Sequence, residues 1–390
     1  MANLTLFSQI ISKLDRSRFN SLVNEKETDK HNKGYNSWTH LVSMLFCQFA
    51  KSQSVRDISN GLRSATGNLN HLGVEKAPSK SSISYQNKNR NWELFKAYYF
   101  KLLGSLGQQA QFKQVKFRIK SKIFLLDSTT ISLCLTLFDW AKYKTAKGAI
   151  KLHTLLDYDG NLPAYVNITD GKTADNKGAY DVPLLKGSVI VADRYYNDFA
   201  LLNIWDSNKV FFVVRHKENI QFKSIKENSL PENRHEHILK DEIIELKGTA
   251  SKKKYPRCLR RVSVWDEKNQ QVIELITNQL TWTANTIGEL YKSRWQVEIF
   301  FREIKQLLHI KSFIGTSENA VMIQVWTALI TILILKFLKA MAKYNWHLSN
   351  LVAFIRLNLF VKIDLQSWLD SPFESCEKPL GINQIQGVLF

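Results

Sequence analysis

Between Tyr291 and Lys305 the chain reads Y-K-S-R-W-Q-V-E-I-F-F-R-E-I-K. One carboxylate, Glu298, stands there among a phenol, Tyr291, and three cations, Arg294, Arg302 and Lys305. The stretch lacks Pro and Gly and has few β-branched residues, which predicts a helix. At about 100° per residue, Tyr291, Arg294, Glu298 and Lys305 fall within a roughly 60° arc, with Arg302 on the same side. Val297, Phe300, Ile304 and Leu307 take the opposite face and are expected to meet a core. A carboxylate that can bind a divalent metal, beside cations that can bind phosphate, is what phosphodiester chemistry requires. An ordinary amphipathic helix with a solvated charged face fits the same residues. The rest of the chain has to decide between the two.

Two further carboxylates sit where a fold could bring them together. I-F-L-L-D-S-T-T-I-S-L is a buried-strand pattern with Asp127 in its middle, and S-V-I-V-A-D-R-Y-Y is another that ends in Asp193. Asp127 could merely end a strand, and Asp193 could pair with Arg194. A charge in a buried strand is nevertheless expensive unless a metal or donors satisfy it. Between the two acids, A-I-K-L-H-T-L-L-D-Y and L-P-A-Y-V-N-I-T flank Asp159-Gly160-Asn161, a strong hairpin signal. Residues 174–187 and 198–206 read as helices, and K-V-F-F-V-V-R-H as a fifth strand. Three strands in meander, then helix, strand, helix, strand, predict an α/β fold built on an RNase H-like mixed five-stranded sheet. Strands one and four of such a sheet are parallel neighbours, which would place Asp127 beside Asp193.

The flanks are less specific. Helical spacing recurs over 37–49 and 54–62, and K-A-P-S-K-S-S-I-S-Y-Q-N-K-N-R carries helix-start signals at Pro78 and Ser79. Lys80, Asn87, Lys88 and Arg90 supply donors there. Short helices ending in a donor-rich one suit a helix-turn-helix module, with Lys80 and Arg90 as DNA contacts. A plain helical bundle with a polar surface suits them equally. From 112 to 122 Val115, Phe117 and Ile119 alternate with Lys116, Arg118 and Lys120, a half-buried strand or linker with a basic face. From 218 to 283 charged turns separate short strands, and Lys252, Lys253, Lys254, Arg257, Arg260 and Arg261 make a β-rich insertion basic. His235 and His237 lack companion zinc ligands at usable spacing. The expected division is 1–110, a helical DNA-binding region; 111–217 and 284–320, the two parts of the catalytic domain; 218–283, the insertion; and 321–390, a C-terminal helical region.

Composition agrees with a large folded protein that meets a polyanion. At 390 residues and 44% hydrophobic, the chain can bury a sizeable core. Its 54 Lys+Arg against 35 Asp+Glu give +19 at pH 7, spread along the whole length, and nucleic acid is the commonest partner for such an excess. Cys47, Cys134, Cys258 and Cys376 form no C-x-x-C pair and read as buried thiols of a reducing compartment. The N-terminus lacks the features of a secretory signal. The apolar run Ala320–Leu335 is broken by Gln324, Thr327 and Thr331, so it reads as a buried helix with no membrane involved. A cytoplasmic, nucleoid-associated protein is expected.

Asp127, Asp193 and Glu298, in that order, with Y-(2)-R-(3)-E-(6)-K on the last helix, resemble the DDE transposases of bacterial insertion sequences, specifically the IS4 family. Asp193-Arg194-Tyr195-Tyr196, the I-T-D-G-K-T segment from Ile168 to Thr173 and L-Y-K-S-R-W are also similar to that family, and the likeness spans roughly residues 120–345. The resemblance implies that Asp127, Asp193 and Glu298 hold two Mg²⁺ ions, for which Mn²⁺ can substitute, and that Tyr291, Arg294 and Lys305 grip the DNA backbone. Arg302 is a further phosphate contact on that face. It implies double-stranded DNA partners, the element's terminal inverted repeats and target DNA, and a homodimer when synapsed. It also implies a hairpin intermediate with an extruded base, for which Trp282 and Trp295 are the nearest stacking candidates. The alternatives are an RNase H-like nuclease without strand transfer and a catalytically silent sequence-specific DNA-binding protein.

Overall fold

The computed structural model describes residues 4–65, 67–106, 117, 119–134, 138, 140–144, 147–218, 220–230, 236–307 and 313–373. Its centre is one mixed sheet. The strands are β1 (Ile123–Leu133), β2 (Lys142–Lys144), β3 (Lys147–Asp157), β4 (Leu162–Asp170), β5 (Val189–Ala192) and β6 (Phe211–Arg215), followed by β7 (Phe222–Glu227), β8 (Ile238–Leu246), β9 (Leu259–Asp266) and β10 (Gln271–Thr277). The order β4–β3–β1–β5–β6 is that of the expected RNase H-like sheet, with β1, β5 and β6 parallel and the hairpin strands antiparallel. The insertion is not a separate module. Its strands continue the same sheet from β6 as β10, β9, β8 and β7, giving ten strands in place of five.

Residue parity along β1 and β5 decides where the acids go. Val189, Ile190, Val191 and Ala192 are all fully buried, as a central parallel strand covered on both faces must be. Val189, Val191 and Leu125 join the larger apolar cluster on one face, and Phe124, Leu126, Ile190 and Ala192 a second cluster on the other. The residue after Leu126 and the residue after Ala192 therefore both return to the first face. Those residues are Asp127 and Asp193.

Helices cover both faces. On the first lie α1 (Leu6–Ile11), α2 (Arg16–Glu25), α3 (Ser37–Ala50), α4 (Val55–Ser64), α5 (Lys80–Asn89) and α6 (Glu93–Leu106). After β4 come α7 (Asp175–Ala179) and α8 (Phe199–Ser207), and within the insertion α9 (Thr249–Lys254). Then follow α10 (Ala284–Ser293), α11 (Trp295–Leu307), α12 (Glu318–Met341), α13 (Leu348–Asn358) and α14 (Leu365–Asp370). The 174–187 helix is shorter than expected, for Pro183 cannot continue a helix. The terminal regions are not separate: α12 packs on α3, α5 and α6, and one core runs from Phe7 to Leu369. By length and composition α12 could cross a membrane, but 83% of its apolar window is buried inside the protein, where it acts as a core helix.

Other expectations change with position. Of the linker 112–122, only Phe117 and 119–122 lie among the described residues, and none of these is in a strand. Cys47 is buried, but Cys134 and Cys258 are exposed, and Cys376 lies outside the described residues. His235 also lies outside them, while His237 stands on the surface 3.7 Å from Glu267.

Candidate active site

The expected single helix from Tyr291 to Lys305 is interrupted at Arg294. Its N–H donates to Tyr291 O at 3.0 Å, and Val297 N–H donates to Arg294 O at 3.0 Å, so the chain turns more tightly between α10 and α11. Val297, Phe300 and Ile304 are buried as expected, which seats α11 against β1 on the face that carries both aspartates. The Leu307 side chain lies outside the described residues.

One guanidinium ties the two halves of the site together. Arg294 Nη1 lies 3.2 Å from Asp127 Oδ2, and its Nη2 lies 2.5 Å from Glu298 Oε1. The Tyr291 ring centre is 5.9 Å from the guanidinium carbon. Asp127 also accepts the Ser128 N–H at 2.7 Å, and Asp193 caps the short helix after β5 by accepting the Tyr195 N–H at 2.8 Å. Burial pushes the Asp127 carboxyl up to about 7; Arg294 opposes this, and the charges of Asp193 and Glu298 add to it. Burial also raises Asp193, against the Tyr195 N–H and Arg294, with Asp175 adding to the rise.

Among the described residues no three His, Cys, Asp or Glu side chains are grouped to hold a metal ion. The donor set still suits one. Asp127, Asp193 and Glu298 are hard oxygen donors within electrostatic reach of one another, and the cation balancing two of them is a side chain. Arg294 stands between Asp127 and Glu298.

The raised Asp127 makes a signed expectation for stability. A carboxyl with an unfolded value of 3.8 and a folded value of about 7 binds its proton more tightly in the folded chain. Its penalty is absent below the unfolded value, grows as pH rises through this window and is complete above it. Asp127→Asn cannot ionise, so in chelator it should be more stable than the parent at pH 8 by about 1–4 kcal/mol, with the gap closing towards pH 4. Urea melts at the two pH values check this. An unchanged gap would mean that Asp127 is not held as a disfavoured anion.

A second group of polar residues supports the aspartates, and sequence reasoning missed it. Asp175 Oδ1 accepts from Ser128 Oγ at 2.6 Å and from Lys151 Nζ at 2.9 Å, while Lys151 also donates to Thr173 O. Ser128 is the residue whose N–H holds Asp127, so Lys151, Asp175 and Ser128 form a bracket behind it. Gly178 lets α7 lie directly on the His153 ring, where a Cβ would come within 2.4 Å, and this fixes Asp175 at the start of α7. The available signal was Asp175 itself, two residues past I-T-D-G-K-T. For the chemistry that the resemblance implies, Asp175→Ala should slow strand nicking by about 10- to 100-fold, the usual effect of removing such a support, and move the divalent-metal requirement upward without weakening DNA binding. Single-turnover nicking against Mg²⁺ concentration tests it, and a parental curve would leave Asp175 a surface acid.

The expected DNA contacts separate into exposed and internal residues. Arg302 and Lys305 are exposed on α11, and Lys80 is exposed on α5 beside Ser81, Ser84, Tyr85 and Lys88. Arg90 is different. Its side chain is 1% exposed, paired with Asp29 at 3.3 Å and donating to Tyr35 O and Asn36 O, so it braces the helical core and offers nothing to a phosphate. Asn87 is likewise turned inward, onto His40 at 2.7 Å. In the insertion Arg260 and Arg261 pair with Asp241, Glu242 and Glu274, Arg257 pairs with Asp206 and Lys252 with Glu245; of the six cations that composition suggested, Lys253 and Lys254 stand exposed without an ion pair among the described residues. Trp282 packs against Phe211, whereas Trp295 is 49% exposed one residue after Arg294.

Residues 118–334 match the family of transposase DDE domains, and residues 2–75 match a domain of unknown function, DUF4372. The chain is 28% identical to a protein of Sinorhizobium fredii named as transposase y4zB, over 74% of this chain and 80% of that one. It is 27% identical to a protein of Geobacillus stearothermophilus named as a transposase for insertion sequence element IS5377, over 71% and 72% of the two chains. A Synechocystis protein named as a transposase for insertion sequence element IS4SA is 24% identical over 74% and 80%.

Proposed function

The chain belongs to the DDE-domain transposases, DNA-binding enzymes that cleave and transfer DNA strands with divalent metal, and on that premise we propose that it is a cut-and-paste transposase of the IS4 type. What supports the finer reading is the Arg294 bridge between Asp127 and Glu298, with Asp193 brought to the same face of the sheet by the parallel pairing of β1 and β5. Asp127, Asp193 and Glu298 would hold two Mg²⁺ ions, which supply activation of the attacking water or 3′-hydroxyl and stabilisation of the leaving oxygen.

The protein's own groups have distinct tasks. Ser128 and Tyr195 N–H groups fix one oxygen each of the two aspartates, and the other oxygen of Asp127 pairs with Arg294. Burial of Asp127 keeps water from screening the site. Arg302 and Lys305, exposed along α11, grip phosphates of the element's end, and Lys80 on α5 contacts the same duplex further out. A hairpin intermediate needs a platform for an unstacked base, and Trp295, 49% exposed with Lys268 over one face of its ring, is better placed for it than Trp282, which packs on Phe211. Two such protomers would act on paired ends in the cytoplasm, each with its flanking helical regions.

The test is to incubate the purified protein with the terminal sequence of its element and Mg²⁺ and to size the strands. Nicks at the end, hairpins and joined products support the full reading. Nicks alone, with no joining to target, would make it an RNase H-like nuclease. Binding without any cut would make it a silent DNA-binding protein.

A further inference from the structure

The Arg294 guanidinium lies where two catalytic acids meet, 167 residues from Asp127 in sequence and one helical turn from Glu298. Its side chain is only 17% exposed, and its Nε is buried without a hydrogen-bond partner, so the whole group is drawn inward by those two carboxylates. A planar guanidinium can hold two separate carboxylates at once through two different nitrogens, here Nη1 on Asp127 and Nη2 on Glu298. A divalent ion liganded by the same oxygens would lie within a few ångströms of that fork, where the two positive charges repel and compete for the same carboxylates.

We propose that Arg294 is a built-in counter-ion: its bridge between Asp127 and Glu298 holds the acidic site assembled before metal arrives, and the bridge must break when an ion binds. Metal binding and the bridge exclude one another. The displaced guanidinium then becomes available to a DNA phosphate, so metal and DNA loading help each other by the same displacement. This rests on the reading of Asp127 and Glu298 as metal-holding residues.

The test measures Mn²⁺ binding to the DNA-free full chain by electron paramagnetic resonance, in the parent, Arg294→Gln, Arg294→Lys and the Glu298→Gln control. Circular dichroism verifies that each is folded. If the bridge must break, Arg294→Gln binds Mn²⁺ about tenfold or more tightly than the parent, since at least one charge-assisted hydrogen bond no longer competes. Arg294→Lys decides the mechanism. It keeps the positive charge but offers one ammonium nitrogen in place of two spaced guanidinium nitrogens, so it should hold the two acids less well and bind Mn²⁺ several-fold more tightly than the parent. A lysine variant no better than the parent, beside a tighter glutamine variant, would reduce Arg294 to through-space repulsion and overturn the displacement. Equal affinity in all three, with binding lost in Glu298→Gln, would overturn it while leaving the metal site standing. No binding in any variant would remove the metal reading and the inference together.

Discussion

Glu298→Gln is expected to retain DNA-end binding and to lose strand cleavage by about 10³-fold or more, equivalent to roughly 4 kcal/mol of transition-state stabilisation. The amide has the shape of the carboxylate but no charge to balance a divalent ion, and its nitrogen is a donor where a lone pair is needed. The fold should tolerate the change. Glu298 is 35% exposed at the side chain, so no buried charge is stranded, and Arg294 keeps its contact with Asp127. The proposed phosphate contacts, the exposed Arg302 and Lys305, are left alone by the substitution. Gel-shift and denaturing-gel assays on the same preparations separate the two effects. If the variant cut as fast as the parent, the placement of Glu298 in the reaction would be wrong.

The parts of this site legible in the sequence are those fixed by local pattern. Alternating apolar runs marked β3 and β4, buried apolar runs marked β1, β5 and β6, and the parallel pairing of β1 with β5 followed from the order of elements. Parity then carried Asp127 and Asp193 to one face without further information. The tight turn at Arg294 was hidden, because Y-K-S-R-W-Q-V-E has helical propensity throughout and nothing in its composition marks a change of turn. The bracket of Lys151, Asp175 and Ser128 was hidden for another reason. It depends on which strand residues face each other and on how closely α7 can approach His153, neither of which has a one-dimensional signature.

Charge misled where partners are remote. Arg90 looked like a DNA contact because its neighbours Lys80, Asn87 and Lys88 supply donors, but its partner Asp29 lies 61 residues earlier. Arg260 and Arg261 looked like a basic patch, although the acids that neutralise them stand on adjacent strands. A count of cations cannot distinguish a phosphate-binding surface from a set of internal pairs. Burial can.

The Arg260 pair gives the largest expected effect on stability. Asp241 accepts from Arg260 Nε at 2.8 Å and Nη2 at 2.6 Å, and both side chains are 5% exposed. Arg260 also donates to Trp282 O, immediately before Thr283 caps α10. Asp241→Ala leaves that guanidinium buried without its carboxylate, an arrangement that costs about 3–5 kcal/mol. Removing both charges is different, because the desolvation penalty leaves with them: Asp241→Leu with Arg260→Met should recover most of the loss. Thermal and urea unfolding of the three proteins would test this, and an Asp241→Ala variant within about 1 kcal/mol of the parent would show that the pair is solvated. The consequence reaches the site. β9 and β10 join the insertion to β6, and the chain leaves β10 through Trp282 into α10, which delivers Tyr291 and Arg294. Losing the Arg260 anchor should therefore depress strand cleavage under conditions where the protein is still folded, and the double variant, which restores stability but not the Trp282 bond, should restore cleavage only in part.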